Sequence, residues 1–392
     1  MAQKIDRTAR RTRTFTESVI REMTRVARES DAVNLAQGFP DFPAPDVLKE
    51  AAADAIRRDV NQYAITWGAP SLRRALAGKY RSRYGMAVDA EREITITCGA
   101  TEAMAAVMLA LIDPGDEVII LEPFYENYGP DAILSEAKPV FLTLEPPGYR
   151  LERDRLAALV TPRTRAIVLN SPNNPMGRVF GREELQAVAD LCLEHDLLAF
   201  TDEIYEHILY QGEHIPLATF PGMAERTVTV SGLSKTFSIT GWRVGTIVAP
   251  PDLTNAIRKV HDFLTVGAPA PLQEACAVGL ERLGADYYAS LASGYAERGR
   301  ILLAALQDVG FHCQMPEGAY YILADFSELS TDNDTTFSKR LAREAGVAAV
   351  PGSSFFSEPE RGRSLVRFAF CKQIETLEEA GARLRYYSGH GG

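Results

Sequence analysis

Short apolar runs of strand length alternate with longer stretches of helical pattern along most of the chain. Each run ends in Gly, Asn, Asp or Pro or is followed within two residues by Gly or Pro, the residue types that end strands and begin turns. This alternation predicts an α/β protein in which strands and helices follow one another. The strand-like runs read EITIT, DEVIILE, RAIVLN, LLAFTD, RTVTVSG and RVGTIVAP, with a further strand expected near 138–144.

Helical patterns lie between these runs, and the last third of the chain has a different order. There the long helical stretch is followed by AYYILADF, a helix near 335–344, SLVRFAF and a final amphipathic helix. That order predicts a smaller α+β lobe. The other helices are expected at about 15–29, from Pro45 to about 60, at 103–112, 152–160 and 181–196, after Pro251, and at about 285–310.

The composition is ordinary for a soluble globular enzyme, and the length of the chain allows two or three domains. The chain has 392 residues, 46% hydrophobic and 24% charged, with a formal charge of -10. The acidic balance argues against a nucleic-acid surface, and the longest apolar stretch, 103–112, is too short to span a bilayer. The basic segment MAQKIDRTARRTRTF is expected to be a flexible or dimer-clasping arm, with a mitochondrial presequence as the alternative.

Cysteine usage indicates neither a metal site nor a disulfide framework. The five cysteines are scattered and form no CxxC pair or Cys/His cluster. We therefore expect no bound metal and a reducing, cytoplasmic setting. The cysteines are Cys98, Cys192, Cys276, Cys313 and Cys371.

The stretch SGLSKTFSITGWRVG, residues 231–245, carries the strongest indication of chemistry. Lys235 follows the strand-like run RTVTVSG, so it should lie in a loop at the carboxyl edge of the sheet, where open α/β sheets bind ligands. Partial burial beside another cation favours its neutral amine, which attacks carbonyl groups. Arg243 offers a planar fork for a phosphate. An aldehyde that carries a phosphate suits both residues, and pyridoxal 5'-phosphate is such a molecule.

This stretch resembles the lysine signature of the class I and II aminotransferases, and other segments resemble the subgroup that includes kynurenine and glutamine transaminases. The resemblance implies fold type I of the pyridoxal phosphate enzymes, with a mainly parallel seven-stranded sheet flanked by helices and a smaller α+β domain. It implies a large cofactor-binding domain at 48–284. The small domain would comprise 1–47, with the amino-terminal arm, and 285–392.

The resemblance also implies cofactor contacts at the strand ends. Asp202 would keep the pyridine nitrogen protonated, and Tyr205 would donate to the phenolic oxygen. CGATEA begins a helix, whose amino terminus attracts anions. Lys235 would form an aldimine with the cofactor and act with Asp202 and Tyr205 in catalysis. The remaining expected contacts are Gly99, Ala100, Thr101, Ser234 and Arg243 around the phosphate, Tyr125 on the ring, Asn174 at the phenolic oxygen, and Tyr63 from the partner subunit.

The substrate contacts implied are Gly38 over the α-carboxylate, Arg367 as its bidentate clamp, and Asn174. Departures from the family pattern are Gly232, where relatives often have a phosphate-binding serine, and Met176, where threonine is usual. Ser231 or Ser234 could replace the missing serine. Relatives carry an aromatic residue and a histidine near Val266 and Gly267, so an aromatic-lined pocket is not expected here.

The predicted function is transfer of the amino group of an L-amino acid to a 2-oxo acid, in a homodimer with shared active sites. No second arginine can be singled out for a distal carboxylate, which favours large neutral side chains. The same residues also suit a carbon–sulfur β-lyase or an amino-acid oxidase or decarboxylase, because fold does not fix function. A non-catalytic cofactor-sensing module is a further alternative, although no segment is left over for a DNA-binding domain.

Overall fold

The computed structural model describes residues 7–389 of this chain. Residues 1–6, where the predicted basic arm begins, and residues 390–392 lie outside the described residues. The strands are β1 (Val33–Asn34), β2 (Ile94–Thr97), β3 (Glu117–Glu122), β4 (Lys138–Thr143), β5 (Thr164–Asn170), β6 (Leu198–Asp202), β7 (Thr227–Gly232), β8 (Gly245–Val248), β9 (Tyr321–Asp325), β10 (Val347–Ala348), β11 (Val350–Pro351) and β12 (Leu365–Ala369).

Helices connect and cover these strands. A π-helical turn, Leu341–Ala345, continues the eleventh helix. The helices are α1 (Val19–Glu29), α2 (Asp46–Arg57), α3 (Pro70–Tyr84), α4 (Ala100–Leu111), α5 (Tyr128–Leu134), α6 (Arg153–Ala157), α7 (Arg182–Glu194), α8 (Pro251–Thr265), α9 (Ala270–Arg282), α10 (Ala285–Asp308), α11 (Asp334–Arg340) and α12 (Ile374–Gly389).

The seven-stranded sheet has the order β2-β8-β7-β6-β5-β3-β4. Strand β8 runs antiparallel to both neighbours, and the other neighbouring pairs are parallel. Asn170, Asp202 and Val230 are in register across β5, β6 and β7, so these three strands end at one edge. The predicted mainly parallel seven-stranded sheet is confirmed.

Both faces of this sheet are buried, which explains why its strands read as continuous apolar runs. In β3, Val118 and Ile120 pack with α4 and α8 on one face. Ile119 and Leu121, which alternate with them, pack with α7 on the other. The two-residue period of a strand therefore divides one run between two cores.

A smaller α+β lobe contains an antiparallel sheet of the order β11-β12-β9 and a parallel pair, β1 with β10. The core of this lobe includes Leu302 of α10, Leu384 of α12 and Phe368 of β12. Helix α1 packs through Met23 and Val26 in a second cluster of this lobe, with Ala348 of β10 and Val350 of β11. The predicted α+β lobe is confirmed.

Some elements were not predicted, and others differ in extent. Helices α3, α5 and α9 were missed, because α3 and α9 are rich in charged or small residues and α5 is short. Helix α1 begins at Val19 rather than near Phe15, since the Ser18 hydroxyl caps it by accepting from the Arg21 amide. No helix within residues 7–389 is both long and apolar enough to cross a membrane.

Candidate active site

A cavity of about 520 Å³ lies at the carboxyl ends of β5, β6 and β7. Gly99 directly precedes two residues of its wall. Tyr63 lies elsewhere on the surface, with 87% of its area exposed. The predicted site residues that line the cavity are Gly38, Ala100, Thr101, Tyr125, Asn174, Asp202, Tyr205, Ser234, Lys235, Arg243 and Arg367.

Lys235 lies three residues beyond the end of β7 and faces the cavity. Its Nζ donates a hydrogen bond to the Gly38 carbonyl oxygen at 3.0 Å. Burial, with smaller contributions from Arg243 and Arg367, lowers the pKa of Lys235 to about 8. The amine therefore loses its proton far more readily than an exposed lysine does.

Asp202 is the last residue of β6 and is buried. Its Oδ2 accepts a hydrogen bond from the Tyr128 hydroxyl at 2.7 Å, and its Oδ1 accepts one from the Ile204 amide at 3.2 Å. Burial raises the pKa of Asp202 to about 6, although the bond from Tyr128 opposes this rise. Within residues 7–389 no Lys, Arg or His nitrogen lies within 4 Å of this carboxylate.

Arg243 and the amino terminus of α4 lie together at one corner of the cavity. Arg243 has a left-handed backbone with φ 56°, and its Nη1 donates to the Thr240 carbonyl oxygen at 3.1 Å. A Cβ added to Gly99, which has φ 85°, would overlap the Arg243 guanidinium. Glycine at 99 suits this backbone conformation, and its missing side chain lets the guanidinium lie against the helix terminus.

The two candidate phosphate serines face different ways. Ser234 lines the cavity. The hydroxyl of Ser231 donates instead to Glu206 Oε1 at 3.1 Å, and it also lies 3.3 Å from the Glu203 carbonyl oxygen. Of the two serines, Ser234 is therefore the one that lines the cavity.

Arg367 is fully buried, although it lies on strand β12. Its Nη1 donates to Asn174 Oδ1 and its Nη2 to the Ala36 carbonyl oxygen, both at 2.7 Å. Its Nε has no hydrogen-bond partner in the described part of the chain, and no carboxylate there lies within 4 Å of the guanidinium. A buried cation with free N–H groups at a cavity suits a carboxylate ligand.

Sequence reasoning missed several residues of the cavity wall. Tyr128 and Tyr321 carry hydrogen bonds to Asp202 and Tyr205, respectively. Arg21, in the first turn of α1, is a third arginine at the cavity besides Arg243 and Arg367, and Glu126 lies in the same wall. The only local signal was the proximity of Tyr128 to Tyr125. Arg21 occupies a polar position of an amphipathic helix, which gives no indication of a site.

Comparison with known proteins agrees with this geometry. The sequence profile of "Aminotransferase class I and II" matches residues 30–384. The chain belongs to this family. The solved structure of N-succinyldiaminopimelate aminotransferase from Mycobacterium tuberculosis is 41% identical to this aminotransferase, with a TM-score of 0.94, covering 97% of this chain and 100% of that one.

Two further relatives are similar over nearly their whole length. Methionine aminotransferase of Escherichia coli (strain K12) is 39% identical, covering 94% of this chain and 95% of its own length. Kynurenine–oxoglutarate transaminase 1 of Homo sapiens is 36% identical, with 93% and 94% covered. The predicted family, fold type and amino-group transfer are confirmed. The lyase and oxidase alternatives are not favoured, because these relatives are named as transferases.

Family membership implies pyridoxal phosphate, and the residues of the cavity fit it. A buried carboxylate without a cationic partner, Asp202, suits a protonated ring nitrogen. Arg243 beside the α4 terminus suits a phosphate, and the lowered pKa of Lys235 suits attack on an aldehyde. Within the described residues, no group of three or more His, Cys, Asp or Glu side chains is arranged to hold a metal ion.

Proposed function

We propose that this aminotransferase binds pyridoxal 5'-phosphate in the cavity and moves the amino group of an L-amino acid to a 2-oxo acid. Asp202 pairs with the ring nitrogen, while Tyr205 and Asn174 contact the phenolic oxygen. Tyr125 covers the ring. The phosphate is held by Gly99, Ala100, Thr101, Ser234 and Arg243, with Tyr63 of the partner subunit completing its shell.

The bound cofactor supplies an aldehyde that links to amines and a ring that withdraws electrons from bonds at the α-carbon. Lys235 supplies the base. With its pKa at about 8, roughly a tenth of the amine is neutral at pH 7, against about one part in three thousand for a lysine at its ordinary value of 10.5. Its Nζ can therefore accept the proton of the substrate α-carbon near neutral pH.

Arg367 orients the substrate. The observation that carries this proposal is that a buried guanidinium without an acidic partner faces the same cavity as the Lys235 amine. A carboxylate bound there, beneath Gly38, fixes one end of an amino acid and presents its α-carbon to Lys235. Holding the reacting groups in this way supplies a large share of the rate of such reactions.

The substrate side chain is proposed to be large and neutral. Ile20, Phe39 and Met104 give the cavity wall apolar surface. Relatives named for methionine and kynurenine act on side chains of this size. Arg21 and Glu126 add opposite charges to the wall, so a screen should include acidic amino acids and 2-oxoglutarate.

We also propose a homodimer with shared sites. Tyr63 is 87% and Phe263 92% exposed, and their segments are joined by a hydrogen bond from His261 Nε2 to the Thr66 carbonyl oxygen at 2.9 Å. Exposed apolar surface of this kind favours a protein interface. The proposed large domain spans 48–284, and 1–47 with 285–392 form the small one. The free cysteines favour a reducing cytoplasm.

The test compares Lys235→Ala with Lys49→Ala, which removes a lysine from a surface ion pair on α2. Lys235→Ala should bind the cofactor without the near-visible absorbance of the lysine linkage and turn over at less than about a thousandth of the wild-type rate. Lys49→Ala should retain both properties. Each of the twenty amino acids is then mixed with wild-type protein and a 2-oxo acid. Formation of a new amino acid demonstrates transfer, and normal turnover by Lys235→Ala would refute the proposal.

A further inference from the structure

Tyr321 contacts two residues of the candidate site that lie far apart in the sequence, Tyr205 and Arg367. It is the first residue of β9, is buried, and lines the cavity. Its hydroxyl lies 2.9 Å from the hydroxyl of Tyr205. Its ring lies 4.3 Å from the guanidinium carbon of Arg367. One side chain therefore touches the proposed cofactor-oxygen donor and the proposed carboxylate clamp.

The hydrogen bond between the two tyrosines has a direction that depends on the ligand. Either hydroxyl can donate in this pair, because each has one hydrogen and an oxygen that accepts. Once Tyr205 donates its hydrogen to the phenolic oxygen of the cofactor, the bond persists only if Tyr321 donates to Tyr205. A hydroxyl whose oxygen accepts a hydrogen bond is a stronger donor itself.

The geometry of the rings restrains both tyrosines. Their planes meet at 86° with centroids 5.8 Å apart, an edge-to-face contact. A Cβ at Gly38 would overlap the Tyr321 hydroxyl, so the hydroxyl is also confined by that loop. The Tyr321 oxygen is therefore held at one place relative to Tyr205.

The second contact restrains Arg367. The guanidinium carbon lies over the Tyr321 ring and 5.0 Å from the centroid of Phe355. Two nitrogens already donate to Asn174 and Ala36, and the rings limit rotation out of the resulting plane. A carboxylate bound by two parallel N–H groups requires a fixed plane of this kind.

We propose that Tyr321 is a positioning residue, which directs the Tyr205 hydroxyl hydrogen towards the cofactor and holds the Arg367 guanidinium in the plane that a substrate carboxylate needs. The inference rests on the proposed function, because both partners act through groups of the cofactor and substrate. Its two parts depend on different atoms of the side chain. The hydroxyl serves Tyr205, and the ring serves Arg367.

Two substitutions separate these parts. Tyr321→Phe removes the hydroxyl and keeps the ring, whereas Tyr321→Leu removes both. The readouts are the pKa of the linkage between Lys235 and the cofactor, from absorbance against pH, and the dissociation constant of 3-phenylpropionate, a carboxylate that lacks an amino group. Tyr387→Phe, which removes a hydroxyl bonded to Glu344 at the surface, is the matched control.

Tyr321→Phe should raise the pKa of the linkage by about half a pH unit. Without the bond from Tyr321, the Tyr205 hydroxyl is a weaker donor and leaves more negative charge on the phenolic oxygen. That charge holds the proton of the neighbouring linkage more tightly. Its affinity for 3-phenylpropionate should change by less than about twofold. Tyr321→Leu should weaken that affinity by about tenfold. In a Tyr205→Phe background, the effect of Tyr321→Phe on the linkage pKa should disappear, since the donor that it supports is gone.

Three results would overturn the inference. One is an unchanged linkage pKa in Tyr321→Phe, another is a shift that is equally large in the Tyr205→Phe background, and the third is unchanged 3-phenylpropionate binding in Tyr321→Leu. A wild-type protein without the lysine-linked absorbance would overturn the proposed function and this inference together. A normal wild-type band with any of the three results would overturn this inference alone.

Discussion

The hydrogen bond from Tyr128 to Asp202 gives a prediction whose size follows from the structure. Tyr128→Phe removes a 2.7 Å bond to a buried carboxylate. A hydrogen bond to a charged group is worth about 1.5–3 kcal/mol, which corresponds to about one to two pKa units. In the cofactor-free protein, the pKa of Asp202 should therefore rise from about 6 to about 7–8.

This rise should weaken cofactor binding only at pH values at which the Asp202 carboxylate of the variant is protonated in the cofactor-free protein. At pH 6 about half of the wild-type carboxylate is ionised, against about 1–10% in the variant, so the affinity for pyridoxal phosphate should fall about 5–50-fold. At pH 9 both carboxylates are ionised, and the affinities should agree within about twofold. Fluorescence titration of the cofactor-free protein at the two pH values measures the difference.

The sign for stability follows from the same pKa. Because the folded pKa lies above the ordinary value of 3.8, ionisation of Asp202 destabilises the cofactor-free fold as pH rises from about 3.8 to about 6. Tyr128→Phe should extend this loss towards pH 8. Tyr387→Phe again serves as the control. An affinity loss of equal size at pH 6 and pH 9 would show a packing defect instead and would refute the reasoning.

Two further changes test the surroundings of the cavity. Gly38→Ala would place a methyl group 3.0 Å from Tyr320 and overlapping Tyr321, so it should lower kcat/KM about a hundredfold. Gly78→Ala in α3, where an added methyl group would meet no atom within 4 Å, should leave kcat/KM unchanged. Equal kcat/KM values for the two variants would contradict this reasoning. Burial alone would raise the pKa of Glu206, but Lys79 and neighbouring histidines outweigh it, and the pKa lies below its ordinary 4.5. Glu206→Gln should therefore lower the unfolding free energy at pH 7 by about 3–5 kcal/mol. In thermal melts, this difference from the wild type should shrink as pH falls below about 4.5, where the wild type loses the stabilisation by the Glu206 carboxylate. A difference independent of pH would argue against the ion pair as its cause.

The sheet and the strand-end residues could be predicted because both depend on local sequence. An apolar run that ends in a polar residue places that residue at a sheet edge, so Asp202 and Lys235 were identifiable before their neighbours were known. Family resemblance added Arg367, which is fully buried although its strand pattern alone would suggest exposure.

What could not be predicted depends on packing between distant segments. Tyr128 meets Asp202 across 74 positions, and Tyr321 meets Tyr205 across 116. An aromatic residue at the end of a strand or the start of a helix packs in the core in most proteins. The sequence around such a tyrosine therefore does not reveal that its hydroxyl bonds to a side chain of the candidate site. These contacts arise because the smaller lobe and helix α5 close on the edge of the large sheet.

The function of the cavity can be inferred because its charged side chains lack oppositely charged partners in the described part of the chain. A buried ion normally has a partner, because removing it from water costs several kcal/mol. In the described residues Asp202 has no cation within 4 Å and Arg367 has no carboxylate, while burial disfavours the charged form of Lys235. Folding alone leaves these groups in unfavourable states. A ring N–H⁺ would pair with Asp202, a carboxylate would pair with Arg367, and an aldehyde would react with the neutral amine of Lys235. Under the proposed function, the cofactor and the amino acid would be the missing partners of these three side chains, and their binding should stabilise the fold as well as start the reaction.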